Sequence, residues 1–598
     1  MGLIERIGSD YAYLTGVLRV LSMIGKVAKN PGRTYPQVVR NLAATYGDRV
    51  ALISDREQMT YRQYDARADQ YARWAMAQGI EKGDVVALMM PNRPEYLAAW
   101  LGIARAGGVT ALLNTNLSGP ALAHCINIVR PRHVIVEASL VDSMGTAGPH
   151  LVAGPSYWCH GASAEGYQRL DTQIDSLPKT EIPESELPRL TIEDRCLFVY
   201  TSGTTGLPKA ANINHYRVQG IMYAFNAAMR VKPDDRIYVC LPLYHTSGGV
   251  LGPGAALTAG ASVVLRERFS SSLFWDDVVR RECTIFLYIG ELCRYLLNSP
   301  THPQETRHRI RLACGNGLRP DIWADFQRRF RIPKILEWYA ATEGNCVFVN
   351  FDSKVGAVGR IPKWMEGRIL TEIVRFDIDT EEPVRGPDGF CIKCAPGEIG
   401  EAISKIVNDP RRPSQRFEGY SDPAATHKKI LADVFEKGDR WFRTGDLMKK
   451  DRLGYYYFID RIGDTFRWKG ENVATSEVSE ALTVFPGIKE ANVYGVRVPG
   501  AEGRVGMAAL VVEDGLDLEG FGRHVMRLPA YARPVFLRIK REIETTSTFK
   551  QRKLDLVKEG FDLSATHDPI YFLHPELQVY VPLEPAGFAA IAEGKVRL

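Results

Sequence analysis

Long uncharged stretches are missing from this chain. Nowhere do the roughly 18 successive apolar residues of a membrane span run without interruption. No secretory signal opens the chain, because Glu5, Arg6 and Asp10 break the first apolar stretch. Myristoylation would need Ser or Thr at position 6, which is Arg6. The expectation is a cytoplasmic protein. Nor does one sign of charge dominate: 75 Lys and Arg face 70 Asp and Glu, interspersed along the whole length, for a net charge of +5. A nucleic-acid binder would carry a clustered basic face, so that class is set aside. Paired cysteines are scarce. The ten cysteines are scattered, several inside apolar runs such as Cys196-Leu197-Phe198 and Val239-Cys240-Leu241, as buried free thiols of a reduced compartment would be. Cys391 and Cys394 form the one tight pair, with no second pair or histidine cluster at zinc spacing. Packing explains them better than metal or redox chemistry.

What is present is enough apolar residue, 45% of 598, for more than one domain. Ile4, Ile7, Tyr11, Leu14, Leu18 and Leu21 recur three and four apart, one stripe of a helix that Asn30-Pro31-Gly32 ends. Two placements need the same stripe: docking on the protein's own core, or lying on an anionic membrane with Arg19, Lys26 and Lys29 alongside. From Tyr35 to about Asp460, helical stretches alternate with short apolar strands such as Val85–Met89, His133–Val136 and Leu197–Tyr200. That alternation predicts an α/β fold with largely parallel sheets. Leu151 to Pro188 is rich in Pro, Gly and Ser and reads as a surface excursion. Beyond Asp460–Asp464 a compact α+β unit follows, with a strand at Met507–Val512. The expected division is residues 1–34 as the amphipathic helix region, 35–460 as the large domain, 461–464 as a hinge and 465–598 as a small domain.

The strongest chemical signal is Tyr200-Thr201-Ser202-Gly203-Thr204-Thr205-Gly206-Leu207-Pro208-Lys209. An apolar strand runs into six small residues, four of them hydroxylated, with a lysine close behind. Such a loop offers backbone N–H groups and hydroxyls to phosphate oxygens at close approach, and Lys209 adds a point charge. It is not a Walker A loop, since the glycine spacing differs and no Ser or Thr follows the lysine.

This stretch resembles the signature of the adenylate-forming superfamily of acyl-CoA synthetases, luciferases and peptide-synthetase adenylation domains. Further motifs follow in the family's order: Glu337-Trp338-Tyr339-Ala340-Ala341-Thr342-Glu343-Gly344-Asn345, Phe442-Arg443-Thr444-Gly445-Asp446, Asp460–Asp464 with Lys469–Asn472, and Thr548-Phe549-Lys550. A narrower similarity, to the fatty acid transport protein and very-long-chain acyl-CoA synthetase branch, rests on Tyr288–Leu297, Gly315–Pro320, Val355–Arg360, Phe417-Glu418-Gly419-Tyr420 and Asp568–Leu573.

The resemblance implies a large N-terminal domain with mixed parallel sheets and a small mobile C-terminal domain. It implies that Thr201, Ser202, Gly203, Thr204, Thr205, Gly206 and Lys209 wrap the β- and γ-phosphates of ATP. Glu343 would hold Mg²⁺, as a hard cation wants an oxygen ligand, and Thr342 would bond the α-phosphate. Gly315, Asn316, Gly317 and Tyr339 would meet the adenine; Asp446 would accept the ribose hydroxyls, and Arg461 would add a ribose or phosphate contact. His245 matches an acyl-pocket histidine that would steer the substrate carboxylate or gate the pocket, although a core histidine fits the residues nearly as well. Leu243–Leu257 and Thr284–Leu297 would wall the acyl pocket. Lys550 occupies the slot of the adenylation lysine, here preceded by Phe549 where the family usually has glycine. Gly463 would be the pivot of domain rotation and Gly470 would face coenzyme A. The expected activity is a long- or very-long-chain fatty acyl-CoA ligase using ATP, Mg²⁺ and coenzyme A. Peripheral contact with the inner face of a membrane through residues 1–29 is one expected partnership, and a homodimer is left open. Transfer to a carrier-protein thiol, or lipid uptake with a vestigial nucleotide site, are the competing readings.

Overall fold

The computed structural model describes residues 3–152, 154–201, 207–378, 380–409, 412–469, 471–499, 503–545, 551 and 553–596. Its large N-terminal part contains two sheets that are mainly parallel. One runs, in spatial order, through the strands Gln168–Arg169, Ser156–His160, His133–Glu137, Val85–Met89, Val109–Leu112, Arg195–Thr201 and Lys209–Asn214. Only its last pair is antiparallel. The other has Ile335–Ala340, Leu312–Asn316, Ile285–Ile289, Arg236–Val239, Ser262–Leu265 and Val50–Ile53 in parallel succession, with antiparallel edge strands at Val347–Val349 and Gln58–Thr60. Val85–Met89 and His133–Glu137 are buried along nearly their whole length, on both alternating sets of side chains, so they are apolar without alternation. These are the strands expected from the sequence.

A third, antiparallel sheet combines Gly359–Arg360, Tyr455–Arg461, Arg440–Lys450, Ile399–Lys405, Thr371–Asp377 and Glu382–Pro383, with Ile430–Ala432 beside Arg440–Lys450. After Arg461 comes the short hairpin Phe466–Trp468/Glu471–Val473 and a mixed five-stranded sheet, Ile488–Val496, Val505–Val512, Phe536–Lys540, Ile570–Leu573 and Tyr580–Pro582. This last sheet has its own apolar core, with Met507, Leu510, Phe521 and Phe536 fully enclosed. All ten cysteines are free and nine are buried.

Two sequence expectations are corrected. Leu151–Pro188 is not a surface excursion throughout. Ser156–His160 joins the first sheet in parallel with His133–Glu137, and Trp158 packs edge-on against Trp74. Five residues of strand were masked by the Pro- and Gly-rich residues around them. The second correction concerns the N-terminal helix, Leu3–Ala28. It does dock on the body, but through the face opposite the apolar stripe read from the sequence. Tyr13 is buried beside Phe351 and Trp364, Gly16 lies where a β-carbon would strike the Phe351 ring at 2.6 Å, and Val17 and Val20 join the main core. Val27 packs with Tyr216 and Ile192. Ser9 meets the Tyr455 hydroxyl at 3.0 Å and Asp10 pairs with Arg360 at 2.7 Å. Ile7, Tyr11, Leu14, Leu18 and Leu21 instead point outward, each between 42% and 69% exposed. The helix has two apolar faces, and periodicity registers the longer without saying which one the fold covers.

Candidate active site

In parallel sheets ligands gather beyond the carboxyl ends of the strands, where helix and loop connections diverge. Thr201, Asn316 and Ala340 are the last residues of three such strands. Of the expected site residues, Thr201, Gly315, Asn316 and Tyr339 lie at these ends, and Gly317, Thr342 and Glu343 follow directly after them.

The Gly315-Asn316-Gly317 turn is shaped by close approach. A β-carbon on Gly315 would lie 2.2 Å from the Tyr288 carbonyl, and Gly317 has φ +79°, a conformation that glycine adopts without strain. Glu337, on the neighbouring strand, holds the turn: its Oε1 accepts the Leu318 N–H at 3.2 Å and Tyr288 donates its hydroxyl to Oε2. Sequence reading assigned Glu337 no role, since an acid inside a strand gives no signal of what it binds. Burial pushes its pKa up to about 8 against these hydrogen bonds, which pull the other way. The folded protein thus keeps a proton that the unfolded chain releases near 4.5, so stability falls as pH rises from there to about 8. Glu337→Gln is therefore expected to be more stable, relative to the parent, at pH 8 than at pH 5. Thermal melts of both proteins at the two pH values check this, and parallel shifts would refute it.

Glu343 is 8% exposed. Tyr420 donates its hydroxyl to Glu343 Oε1 at 2.6 Å, and the same hydroxyl bonds the Thr201 side chain. Lys209 Nζ stands 5.7 Å from the centre of the Tyr420 ring. Tyr420 reaches this position because Gly419–Ser421 runs alongside Ala210–Asn212, with the Asn212 N–H on the Gly419 carbonyl and the Ser421 N–H on the Ala210 carbonyl. Its segment was legible as a motif; its role was not, because 77 residues separate it from Glu343. Arg217 is a second residue the sequence did not reveal. Its guanidinium donates to the carbonyls of Ala341 (2.9 Å) and Gly344, fixing the turn that carries Thr342 and Glu343. Burial lowers its pKa, with the charge of Glu343 opposing that shift.

Thr342 meets Thr246 oxygen to oxygen at 3.5 Å, which joins the His245 stretch to the same turn. His245 is half-buried against the Tyr244 ring and precedes a π-helical segment, Thr246–Leu251. β-Carbons on Gly248 and Gly249 would fall 2.3 and 2.0 Å from the carbonyls of Pro242 and Leu243. π-Turns of this kind are rare and concentrate at functional sites.

On the third sheet Asp446 pairs in register with Arg461, and their side chains lie 3.6 Å apart. Tyr339 donates its hydroxyl to Asp446. Arg461's pKa is raised, chiefly by the Asp446 charge. Gly344 and Phe442 touch so closely that a β-carbon on Gly344 would be 2.2 Å from the ring, which packs the second motif on the third. Fully buried Glu401 supports that hairpin by accepting from Arg443 and from the Gly445 N–H. Ser202, Gly203, Thr204, Thr205, Gly206, Gly470 and Lys550 lie outside the described residues. Gly463 has φ +92°. Asp460 accepts from the Thr475 N–H and hydroxyl just beyond it. Arg319, two residues after Gly317, donates to Thr483 at 2.7 Å, and Arg294 pairs with Glu490 at 3.3 Å. Among the described residues no group of three acidic, histidine or cysteine side chains forms a metal site.

Residues 39–402 match the model of a family described as AMP-binding enzyme. The chain is similar to long-chain fatty acid transport protein 1 of Mus musculus, 41% identical over 95% of this chain and 89% of that one. Long-chain fatty acid transport protein 6 of the same organism is 43% identical over 92% and 88%. Among solved structures, the anthranilate CoA ligase AuaEII in complex with anthranoyl-AMP covers 90% of this chain at TM-score 0.75 and 21% identity, with all of its own chain matched. The chain belongs to the AMP-binding enzyme family of adenylate-forming ligases, in the branch of the long-chain fatty acid transport proteins and very-long-chain acyl-CoA synthetases.

Proposed function

We infer that the chain is an ATP-dependent fatty acyl-CoA ligase acting on long or very long chains. The observation that carries this reading is the convergence of Thr201, Lys209, Tyr420 and Glu343 at one sheet edge, next to the Tyr339–Asp446–Arg461 group. In the first half-reaction the acid's carboxylate oxygen attacks the α-phosphorus and pyrophosphate leaves. In the second the thiol sulfur attacks the acyl carbon, AMP leaves and the thiol proton passes to solvent. Asp446 would accept the ribose hydroxyls, Gly315–Gly317 and Tyr339 would frame the adenine, and Thr342 would meet the α-phosphate. Mg²⁺ suits the site: such ions are held by one or two carboxylates plus substrate phosphates, and Glu343 offers a carboxylate whose Oε1 is oriented by Tyr420. It would supply charge neutralisation to the triphosphate. Lys550 would bridge the carboxylate and α-phosphate, and rotation about 461–464 would bring Gly470 towards coenzyme A. His245 would border the acyl pocket walled by Leu243–Leu257 and Thr284–Leu297.

The relatives are named as transport proteins. That agrees with uptake coupled to the reaction, since a charged thioester does not recross a bilayer. The retention of Lys209, Glu343, Asp446, Arg461 and Lys550 speaks against a vestigial site. The deciding experiment supplies MgATP and acids from acetate to very long chains, with and without coenzyme A, and measures AMP release. Acyl-CoA and AMP from the longer acids are expected. No AMP with any acid overturns the reading, and acyl transfer only to a carrier protein replaces it with the carrier-loading alternative.

A further inference from the structure

Two arginines tie the small C-terminal domain to the elements around the Gly315–Gly317 turn, and both contacts are built in the same way. Arg294, on helix Gly290–Asn298, is buried and donates to the Lys489 carbonyl, with Glu490 Oε1 3.3 Å away. Its Nε also donates to Glu291 of its own helix at 2.9 Å. Arg319, which precedes helix Pro320–Phe330, donates to the Thr483 hydroxyl at 2.7 Å and lies 3.9 Å from Glu480. It also donates to Asp321 of its own segment at 2.8 Å. Each arginine thus holds one carboxylate at home and a second set of acceptors across the boundary. A buried ion that loses its only counter-charge is strongly destabilising; with Glu291 and Asp321 alongside, neither guanidinium is stranded when the small domain moves away. Glu490 Oε2 is buried with no hydrogen-bond partner among the described residues, so on release this oxygen regains water. The small domain's apolar core includes no described residue before Phe466, and a cleft of about 730 Å³ opens between Phe269, Tyr295, Asn298, Lys489 and Glu513.

Both contacts start from the glycine turn. A β-carbon on Gly290 would lie 1.6 Å from the Gly317 carbonyl oxygen, so the helix carrying Arg294 begins against that turn. Across the boundary, helix Thr475–Thr483 and strand Ile488–Val496 pack together, with the Ser479 hydroxyl on the Ala491 carbonyl at 2.7 Å, so the two receiving surfaces move as one. We propose that Arg294 and Arg319 are positioning residues that hold the small domain in its present orientation and release it by exchange, keeping Glu291 and Asp321 when Glu490 and Thr483 depart. Under the ligase reading one site serves two half-reactions in two orientations, and the strength of this hold sets their relative rates. That kinetic consequence rests on the ligase reading; the docking itself rests on the contacts.

The test uses the full chain and four variants: Arg294→Gln, Arg319→Gln, Glu291→Gln and Asp321→Asn. The first half-reaction is read as acid-dependent pyrophosphate exchange into ATP, the second as thioester formed from supplied acyl-adenylate and coenzyme A. Loss of either arginine is expected to change the ratio of the two rates by about tenfold, the weight of one hydrogen bond to a charged group, in the same direction for both. Glu291→Gln and Asp321→Asn remove the group that would satisfy the arginine after release. They should therefore favour docking and move the ratio the opposite way. Residues that merely support local folding would shift all four variants alike. Hydrogen exchange over residues 475–483 and 488–490 reads docking without turnover: faster than the parent in the arginine variants, slower in the acid variants. Melting curves show that each variant is folded. A ratio that moves the same way in all four overturns the proposal, and so do arginine variants with the parent's ratio and the parent's exchange. A parent with neither half-reaction counts against the ligase reading, and hydrogen exchange then judges the docking.

Discussion

Glu343→Gln lowers acid-dependent exchange of pyrophosphate into ATP by about 10²–10³-fold. The substitution keeps the size of the side chain and an oxygen able to accept the 2.6 Å bond from Tyr420, so the turn between Ala341 and Gly344 should survive. What it removes is the negative charge, which the proposed Mg²⁺ would need and which faces the neighbouring Arg217: without it, the Arg217 guanidinium loses the charge that opposes its desolvation. Tyr420→Phe makes the complementary change. It leaves the charge and removes the bond that orients it, so a loss of about tenfold is expected, the weight of one hydrogen bond to a charged group. The measurement is initial exchange rate against MgATP at saturating acid, with melting curves to show that each variant is folded. A Glu343→Gln enzyme within about threefold of the parent would mean that the carboxylate is structural, since removing one preorganised charge from the reacting centre normally costs far more.

Lys550→Ala is expected to abolish the same exchange, a loss on the order of 10²–10³, while ATP binding stays nearly intact. A cation that touches the carboxylate and α-phosphate as charge builds between them acts on the transition state and hardly on the bound nucleotide. The sharper readout is the second half-reaction. Supplied with ready-made acyl-adenylate and coenzyme A, the variant should form thioester at close to the parent rate, because in the proposed mechanism the lysine leaves before the thiol enters. Thr545 and Gln551, which bridge to each other, bracket the segment, and Lys553 bonds Thr475 next to the hinge residues. If Lys550 merely belongs to a solvated basic strip with Arg552 and Lys553, exchange in the variant will match the parent.

Much of the large-domain fold was legible because its strands are buried on both faces. Val85–Met89, His133–Glu137 and Arg195–Thr201 carry apolar runs that few other structures would accept. Ser156–His160 escaped because its neighbours have loop composition, and composition averages over exactly the length at which a five-residue strand is lost. The motif glycines were readable as glycines, but their reasons are tertiary: Gly344 yields to Phe442, Gly315 to the Tyr288 carbonyl and Gly249 to the Leu243 carbonyl. Glu337, Arg217 and Glu401 were invisible as site supports, since a charged residue in a strand or helix says nothing of the backbone it will hold.

By itself the sequence determined residue type and order: the succession of the motifs, the hydroxyl-rich stretch after Tyr200, the acid at 343 and the lysine at 550 are properties of the covalent chain. Only the tertiary structure decided which groups share a site and which faces stay uncovered. Tyr420 meets Glu343 across 77 residues because one segment zips onto a strand. The stripe at Ile7–Leu21 faces outward because a second face, with Tyr13 and Gly16, fits the groove around Phe351. Periodicity records that a helix has an apolar side; which side is buried depends on the shape of what it meets, and that shape exists only once the chain has folded.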